Sequence, residues 1–120
     1  MYERLGQGKD RRQYPRVSSA MPVQYRGIRQ ASNSFVSTIA RDISIGGARV
    51  IAHEFISVFT RLVVEISILS TPKPVRVVSK VVWIRKMPYG EHYELGMQFL
   101  EMVEEDKKNI FQFVDRSIPK

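Results

Sequence analysis

Alternating apolar and polar residues run through much of the chain and predict a series of short β-strands. The clearest alternation covers residues 93–99, where large apolar side chains at odd positions are separated by Glu, Gly and Gln at even positions. This period of two is typical of a strand with one buried face. Five further segments are predicted as strands, at 17–26, 34–43, 48–52, 61–69 and 75–86.

The C-terminal segment follows a helical period instead. Val103, Ile110 and Val114 fall on one helical stripe, and three acidic residues at 104–106 suit the first turn, where they interact favourably with the helix dipole. We predict a C-terminal α-helix over about 103–116. The strands and the helix are most simply arranged as a small six-stranded antiparallel β-barrel whose open end or side the helix covers. The predicted fold class is therefore mainly β.

The composition fits a single domain. A chain of 120 residues with 43% hydrophobic content can bury one core. Residues 1–10 are mostly polar, so we predict a flexible N-terminal arm there and a single domain over 11–120. The chain has no cysteine, which excludes disulfides and thiolate metal sites. Because it shows no signal peptide or membrane-spanning run, we expect a cytoplasmic protein without a membrane span.

Basic residues are concentrated at the start of the chain. The formal net charge is +7, and residues 1–30 contain seven Lys and Arg against two Asp and Glu. Such a segment attracts nucleic acids, nucleotides, lipid surfaces or acidic proteins, but it is equally typical of a solubilising tail. Charge alone therefore does not identify a function.

A short arginine segment precedes the first predicted strand. Residues 11–16 have the sequence Arg-Arg-Gln-Tyr-Pro-Arg. Pro15 disfavours a helix at the residue before it, so we predict an extended segment. Extended backbone separates Arg12 from Arg16 by roughly 13 Å, which suits them to two points of one ligand. A guanidinium binds phosphate oxygens or the O6 and N7 edge of guanine, and it also stacks on a flat base.

A second motif, Asp42-Ile43-Ser44-Ile45-Gly46-Gly47, lies where the second predicted strand turns into the third. Alternation predicts that Asp42 and Ser44 point outward while the isoleucines face the core. A carboxylate accepts hydrogen bonds from guanine N1 and N2, and a serine hydroxyl donates to phosphate. Gly46 and Gly47 permit a positive φ and let backbone N–H groups approach an anion. Each motif alone is also explained more simply, as a basic tail or as a turn.

Together, the order and spacing of the two motifs resemble the PilZ domains, which are bacterial receptors for cyclic di-GMP. The resemblance covers nearly the whole chain. The family pattern Arg-x-x-x-Arg matches Arg12 and Arg16, and the pattern Asp/Asn-x-Ser-x-x-Gly matches Asp42, Ser44 and Gly47. The resemblance implies that a six-stranded barrel holds the second motif and that the N-terminal arm folds over the ligand.

The resemblance also implies a ligand, a set of site residues and a mode of signalling. The ligand is cyclic di-GMP, with one or two molecules per chain, because an arginine directly before the first motif is compatible with a stacked pair. The implied site residues are Arg11, Arg12, Arg16, Asp42, Ser44, Gly46 and Gly47. Since the chain carries no recognisable output domain, the reordered arm would signal through a partner protein.

Two other functions stay open at the level of sequence. The net charge of +7 and the 12 aromatic residues (1 Trp, 5 Tyr, 6 Phe) are compatible with a barrel that binds single-stranded nucleic acid. No strand, however, displays the exposed aromatic ladder that such binding needs. The other alternative is a protein-interaction module of the same fold that does not bind nucleotide. We expect no enzyme activity, cofactor or metal, because His53 and His92 lack partners at ligand spacing and neither is implied to lie near Ser44 as a base.

Overall fold

The computed structural model describes residues 17–31 and 34–117, in which six strands and one helix follow one another along the chain. The elements are β1 Val17–Gly27, β2 Val36–Ile43, β3 Gly47–Ala52, β4 Arg61–Ile66, β5 Val75–Lys86, β6 Tyr93–Glu101 and α1 Glu104–Ser117. The arm predicted at residues 1–10 lies outside the described ranges.

The six strands close into a barrel. Each is paired antiparallel with two neighbours in the order β1-β2-β3-β6-β5-β4, and β4 pairs back to β1. At this closing seam Val23 lies opposite Ile66, and Tyr25 lies opposite Val64. The prediction of a mainly β, six-stranded antiparallel barrel with a C-terminal helix is therefore confirmed.

Aliphatic side chains fill the interior of the barrel, as expected for a small barrel whose strands alternate between inside and outside. The largest apolar side chains with almost no exposure are Ile43, Ile66, Leu95, Ile110, Val50, Val64, Val75, Val77, Val81 and Val114. Two of these, Ile110 and Val114, belong to α1, so the helix packs against the core. Within the described ranges, no helix is both long enough and apolar enough to cross a membrane.

The strand ends differ from prediction where the apolar pattern and the hydrogen-bonded ladder have different lengths. The sequence predicts a strand over 61–69, but β4 ends at Ile66. Ile68 is still buried, yet its carbonyl accepts a hydrogen bond from the Thr71 N–H in a turn. Conversely, β6 continues to Glu101, beyond the last large alternating side chain. Burial therefore does not mark where a ladder ends.

Tyr25 ties the closing seam to the loop after β3. Its side chain is buried, and its hydroxyl donates to Glu54 Oε2 at 3.3 Å. Burial, together with the neighbouring Glu54 carboxylate, raises the pKa of Tyr25 to about 12. The phenol therefore stays protonated, and continues to donate this hydrogen bond, to a higher pH than an exposed tyrosine would.

Gly47 allows β3 and β6 to approach each other closely. A Cβ atom at this position would stand 2.2 Å from the carbonyl oxygen of Met97 on β6. Because the obstacle is backbone, no side-chain rotation relieves the overlap. Among the described residues, positive φ angles occur at Phe59 and Gly90. Neither Gly46 nor Gly47 therefore uses the left-handed conformation that the sequence indicated, and Gly47 is needed for close approach instead.

Replacing Gly47 with alanine is expected to lower the free energy of unfolding by about 1–3 kcal/mol, because the added methyl group forces two backbones apart. Urea unfolding followed by tryptophan emission measures the change. Gly27→Ala is the matched control, since a Cβ there meets the flexible side chain of Gln30, at 3.1 Å. Equal losses in the two variants would contradict the close-approach role of Gly47.

Candidate functional site

The turn between β2 and β3 is held in shape by Ser44. Its backbone N–H donates to the Gly47 carbonyl at 2.8 Å, and its hydroxyl donates to the same oxygen at 3.3 Å. The hydroxyl oxygen also accepts from the Gly46 N–H at 3.3 Å. The Gly46 carbonyl accepts from the Phe99 N–H on β6 at 2.9 Å. The second motif is thus a closed turn anchored to a neighbouring strand.

Asp42, near the end of β2, is paired across the sheet with Arg49 on β3. The Arg49 Nε–H donates to Asp42 Oδ2 at 2.6 Å, and Asp42 is only 1% exposed. Ser44 is also buried, while Ile43 belongs to the core as predicted. Alternation placed Asp42 and Ser44 on the face opposite Ile43, but neither is exposed to solvent, because Arg49 lies against the carboxylate and the turn closes around the hydroxyl.

Glu94 on β6 contacts arginines from three other strands. Arg41 Nη1 lies 3.3 Å and Arg49 Nη1 lies 3.6 Å from Glu94 Oε2, while Arg85 Nη2 donates to Oε1. The Glu94 side chain has no exposed surface, whereas those of the three arginines are 44%, 34% and 63% exposed. The guanidinium groups therefore replace the water that a carboxylate otherwise requires.

Trp83 covers Gly96 on the outside of the same sheet. A Cβ atom at Gly96 would stand 2.1 Å from the indole atoms Cε2 and Nε1, so the ring occupies the space that a side chain there would take. Trp83 is 38% exposed, which leaves part of the indole open to solvent. The indole therefore packs on the outer face of the barrel rather than in the core.

These side chains form one row across four adjacent strands. The register places Asp42 opposite Arg49, Arg49 opposite Gly96, and Gly96 opposite Trp83. We name these four residues the outer-face row. Arg85 lies two positions beyond Trp83 on β5 and so shares its face.

The chemistry of the outer-face row favours a flat, anionic ligand. Three arginines, Arg41, Arg49 and Arg85, lie in or beside the row with two carboxylates, Asp42 and Glu94, so the formal charge of this group is 3 − 2 = +1. A partly exposed indole stacks on flat rings, and forked guanidinium donors suit phosphate or the edge of a guanine. The row therefore presents groups for both halves of a nucleotide.

His53 and His92 lie in contact, although from the sequence each was predicted to lack a partner at ligand spacing. Their ring centroids are 4.5 Å apart in an edge-to-face contact, and with Arg41 they line a surface cavity of about 520 Å³. Within residues 17–31 and 34–117, no three His, Cys, Asp or Glu side chains are grouped so that they could hold a metal ion. Two imidazoles alone are fewer than the ligands a protein zinc site uses.

The structure brings the residues of the second motif together in one turn, as predicted. The arginines predicted to act with them, Arg11, Arg12 and Arg16, lie outside the described residues. Sequence reasoning missed Arg49 and Glu94. The alternation of β6 places Glu94 on the polar side of that strand, but its arginine partners depend on strand register, which the alternation does not specify.

Comparison with known proteins relates the whole described fold to one family. The family model described as the PilZ domain matches residues 10–116. The Bacillus subtilis inhibitor of motility MotI/DgrA has a similar structure, with a TM-score of 0.71 and 22% identity over 89% of this chain and 50% of that chain. The PilZ domain of Escherichia coli YcgR, solved with c-di-GMP, has a TM-score of 0.65 and 18% identity over 90% of this chain and 92% of that chain.

A third structure is similar over the same region. MrkH of K. pneumonia in complex with c-di-GMP has a TM-score of 0.66 and 18% identity over 89% of this chain and 51% of that chain. The chain thus spans about half the length of the MotI/DgrA and MrkH structures. At identities this low, the structural similarity establishes a shared fold alone. A comparison with curated proteins gave no match.

Gly96→Ala is expected to displace Trp83 from the sheet, since the new Cβ would overlap the indole. Trp83 is the only tryptophan in the chain, so its emission reports the change directly. The emission maximum should move to longer wavelength, and acrylamide should quench the ring more strongly. Gly27→Ala again serves as the control. Unchanged emission in the Gly96 variant would show that the indole does not lie over this glycine.

Proposed function

The chain belongs to the PilZ domain family, and from this membership we propose that it is a receptor for cyclic di-GMP, which binds at the outer-face row beside the β2–β3 turn. The observation that carries the proposal is the register of β1 on β2, in which Val17 lies opposite Ile43 and Ser18 lies opposite Asp42. Because Arg16 directly precedes Val17 in sequence, the Arg-x-x-x-Arg segment is joined to the strand end that pairs with the second motif, which supports the proposal.

The arginine segment supplies most of the charge in this proposal. Cyclic di-GMP contains two guanosine units joined by two phosphates, so it needs both anion-binding groups and groups that bind bases. Arg12 and Arg16 donate to phosphate oxygens or to the O6 and N7 edge of guanine. Arg11 adds a third cation, which suits a stacked pair of ligands, and the stoichiometry of binding decides between one molecule and two.

The turn supplies specificity. Asp42 lies at the turn with Arg49 against its carboxylate, and in this proposal the carboxylate accepts from guanine N1 or N2 in the bound state. Ser44 holds the turn in shape and, on rotation of its hydroxyl, donates to a phosphate. The backbone of Gly46 and Gly47 lets an anion approach the turn closely. These contacts rest on a turn that hydrogen bonds already fix.

The output of the receptor passes through another protein. YcgR and MrkH are named with c-di-GMP, MotI/DgrA is named an inhibitor of motility, and MrkH is named a transcription regulatory factor. These activities belong to those proteins, and the MotI/DgrA and MrkH structures are about twice as long as this chain. For this chain we propose that it binds cyclic di-GMP without catalysing a reaction and that it acts in the cytoplasm. Ligand binding orders the N-terminal arm, and a separate partner recognises the ordered arm.

Arg12→Ala and Arg16→Ala are each expected to weaken cyclic di-GMP binding by about tenfold or more, because each removes charge-assisted contacts of about 1.5–3 kcal/mol. Isothermal titration calorimetry gives affinity and stoichiometry together. Arg4→Ala is the matched control, since it removes the same charge from the N-terminal segment but lies outside the motif. Undiminished binding by both motif variants contradicts the arginine assignment.

The same preparations test the competing nucleic-acid function. A single-stranded oligonucleotide is expected to bind more weakly than cyclic di-GMP at physiological salt. Tighter oligonucleotide binding, falling steeply as salt rises, would instead support a general nucleic-acid-binding barrel.

Asp42→Asn is expected to reduce the preference for guanine by about tenfold, because an amide oxygen is a weaker acceptor than a carboxylate and its NH₂ group opposes the guanine donors. Parallel titrations with cyclic di-GMP and cyclic di-AMP measure this preference. Equal loss of affinity for both dinucleotides would show that Asp42 acts by orienting Arg49 rather than by contacting guanine.

A further inference from the structure

Glu94 contacts three guanidinium groups, although one is enough to neutralise its charge. Arg41, Arg49 and Arg85 come from β2, β3 and β5, so the carboxylate on β6 links four neighbouring strands. The three arginine side chains are all substantially exposed to solvent. Removing the Glu94 carboxylate from water accounts for charged partners, but it does not by itself account for three of them whose side chains also face solvent.

The cluster fixes the direction of the arginine side chains. An arginine free in solvent samples many rotamers, and a ligand that binds it must restrict them. A guanidinium carries five N–H donors, so a carboxylate that accepts from one side of the group leaves donors directed elsewhere. Glu94 restricts Arg85 through a hydrogen bond, and its ion pair with Arg49 at 3.6 Å adds to the hydrogen bond that Arg49 donates to Asp42.

Both of these arginines lie beside the exposed indole. Arg49 is opposite Gly96, the residue that Trp83 covers, and Arg85 is two positions beyond Trp83 on the same face of β5. Arg49 also bonds the Asp42 carboxylate at 2.6 Å. Two oriented guanidinium groups thus border a partly exposed aromatic ring next to the β2–β3 turn.

We infer that Glu94 is a positioning residue of the ligand site. It contacts no ligand itself but orients Arg49 and Arg85 so that their outward N–H groups meet the phosphate or the guanine edge of a ligand stacked at Trp83. This inference rests on the function proposed above, because the ligand is cyclic di-GMP.

One substitution changes the affinity in opposite directions under the two explanations, positioning and simple electrostatics. Glu94→Gln removes a negative charge next to an anionic ligand, so long-range electrostatics alone predicts tighter binding. Loss of orientation predicts the opposite, about tenfold weaker binding of cyclic di-GMP, because the ligand must then order both arginines. Glu65→Gln is the matched control, since Glu65 on β4 also pairs with an arginine, Arg76, and neither residue belongs to the cluster.

A second variant keeps the charge and changes only the reach of the side chain. Glu94→Asp is one methylene shorter, so it cannot contact all three arginines equally well. Electrostatics predicts no change for this variant, whereas positioning predicts weaker binding than wild type. Tryptophan emission and urea unfolding of the free proteins establish that each variant is folded.

A double-mutant cycle shows whether Glu94 acts through its arginine. If it orients Arg85, the loss caused by Glu94→Gln should be smaller in an Arg85→Ala background than in the wild type.

The titrations distinguish failure of this inference from failure of the proposed function. Wild-type protein that does not bind cyclic di-GMP removes the proposed function, and the inference with it. If the wild type binds and either Glu94→Gln or Glu94→Asp binds at least as tightly as the wild type, the positioning role alone is overturned. Additive losses in the double-mutant cycle would overturn it as well. Weaker binding by both folded Glu94 variants, unchanged binding by Glu65→Gln and non-additive losses support it.

Discussion

The buried carboxylate of Glu94 is the constraint on which the outer face of the barrel depends. A charge removed from water is tolerated where other groups replace its hydration, and here guanidinium groups from three other strands do so. Their positions set the surroundings of Trp83 and of Asp42. The arrangement also requires one register between β3 and β6, because a slip of a single residue would turn Glu94 toward the aliphatic core.

Local patterns in the sequence were sufficient to predict the architecture. Alternation located β6 closely, and the acidic cluster at 104–106 marked the start of α1 to within one residue. A barrel then followed, because six short strands with apolar faces need a closed arrangement to bury them. The end of β4 was less predictable, since Ile68 remains buried after the ladder has ended.

The composition of the site was harder to predict than the fold. Alternation assigns Asp42 and Ser44 to a face of the strand, but it does not reveal what covers that face. Arg49 covers Asp42 because of a pairing between β2 and β3 that includes an irregularity between Ala40 and Asp42. Pairings of this kind are set by tertiary structure, so the arginine cluster around Glu94 was not visible in the pattern of either strand alone.

The two glycines that shape the outer face differ in what excludes a side chain. At Gly47 the obstacle is the Met97 backbone, whereas at Gly96 it is the indole of Trp83. These two obstacles should therefore restrict substitutions differently among related sequences. A larger residue at position 96 is acceptable when position 83 becomes smaller, so the two positions should covary. No such exchange is open to position 47, which should remain glycine whatever its neighbours become.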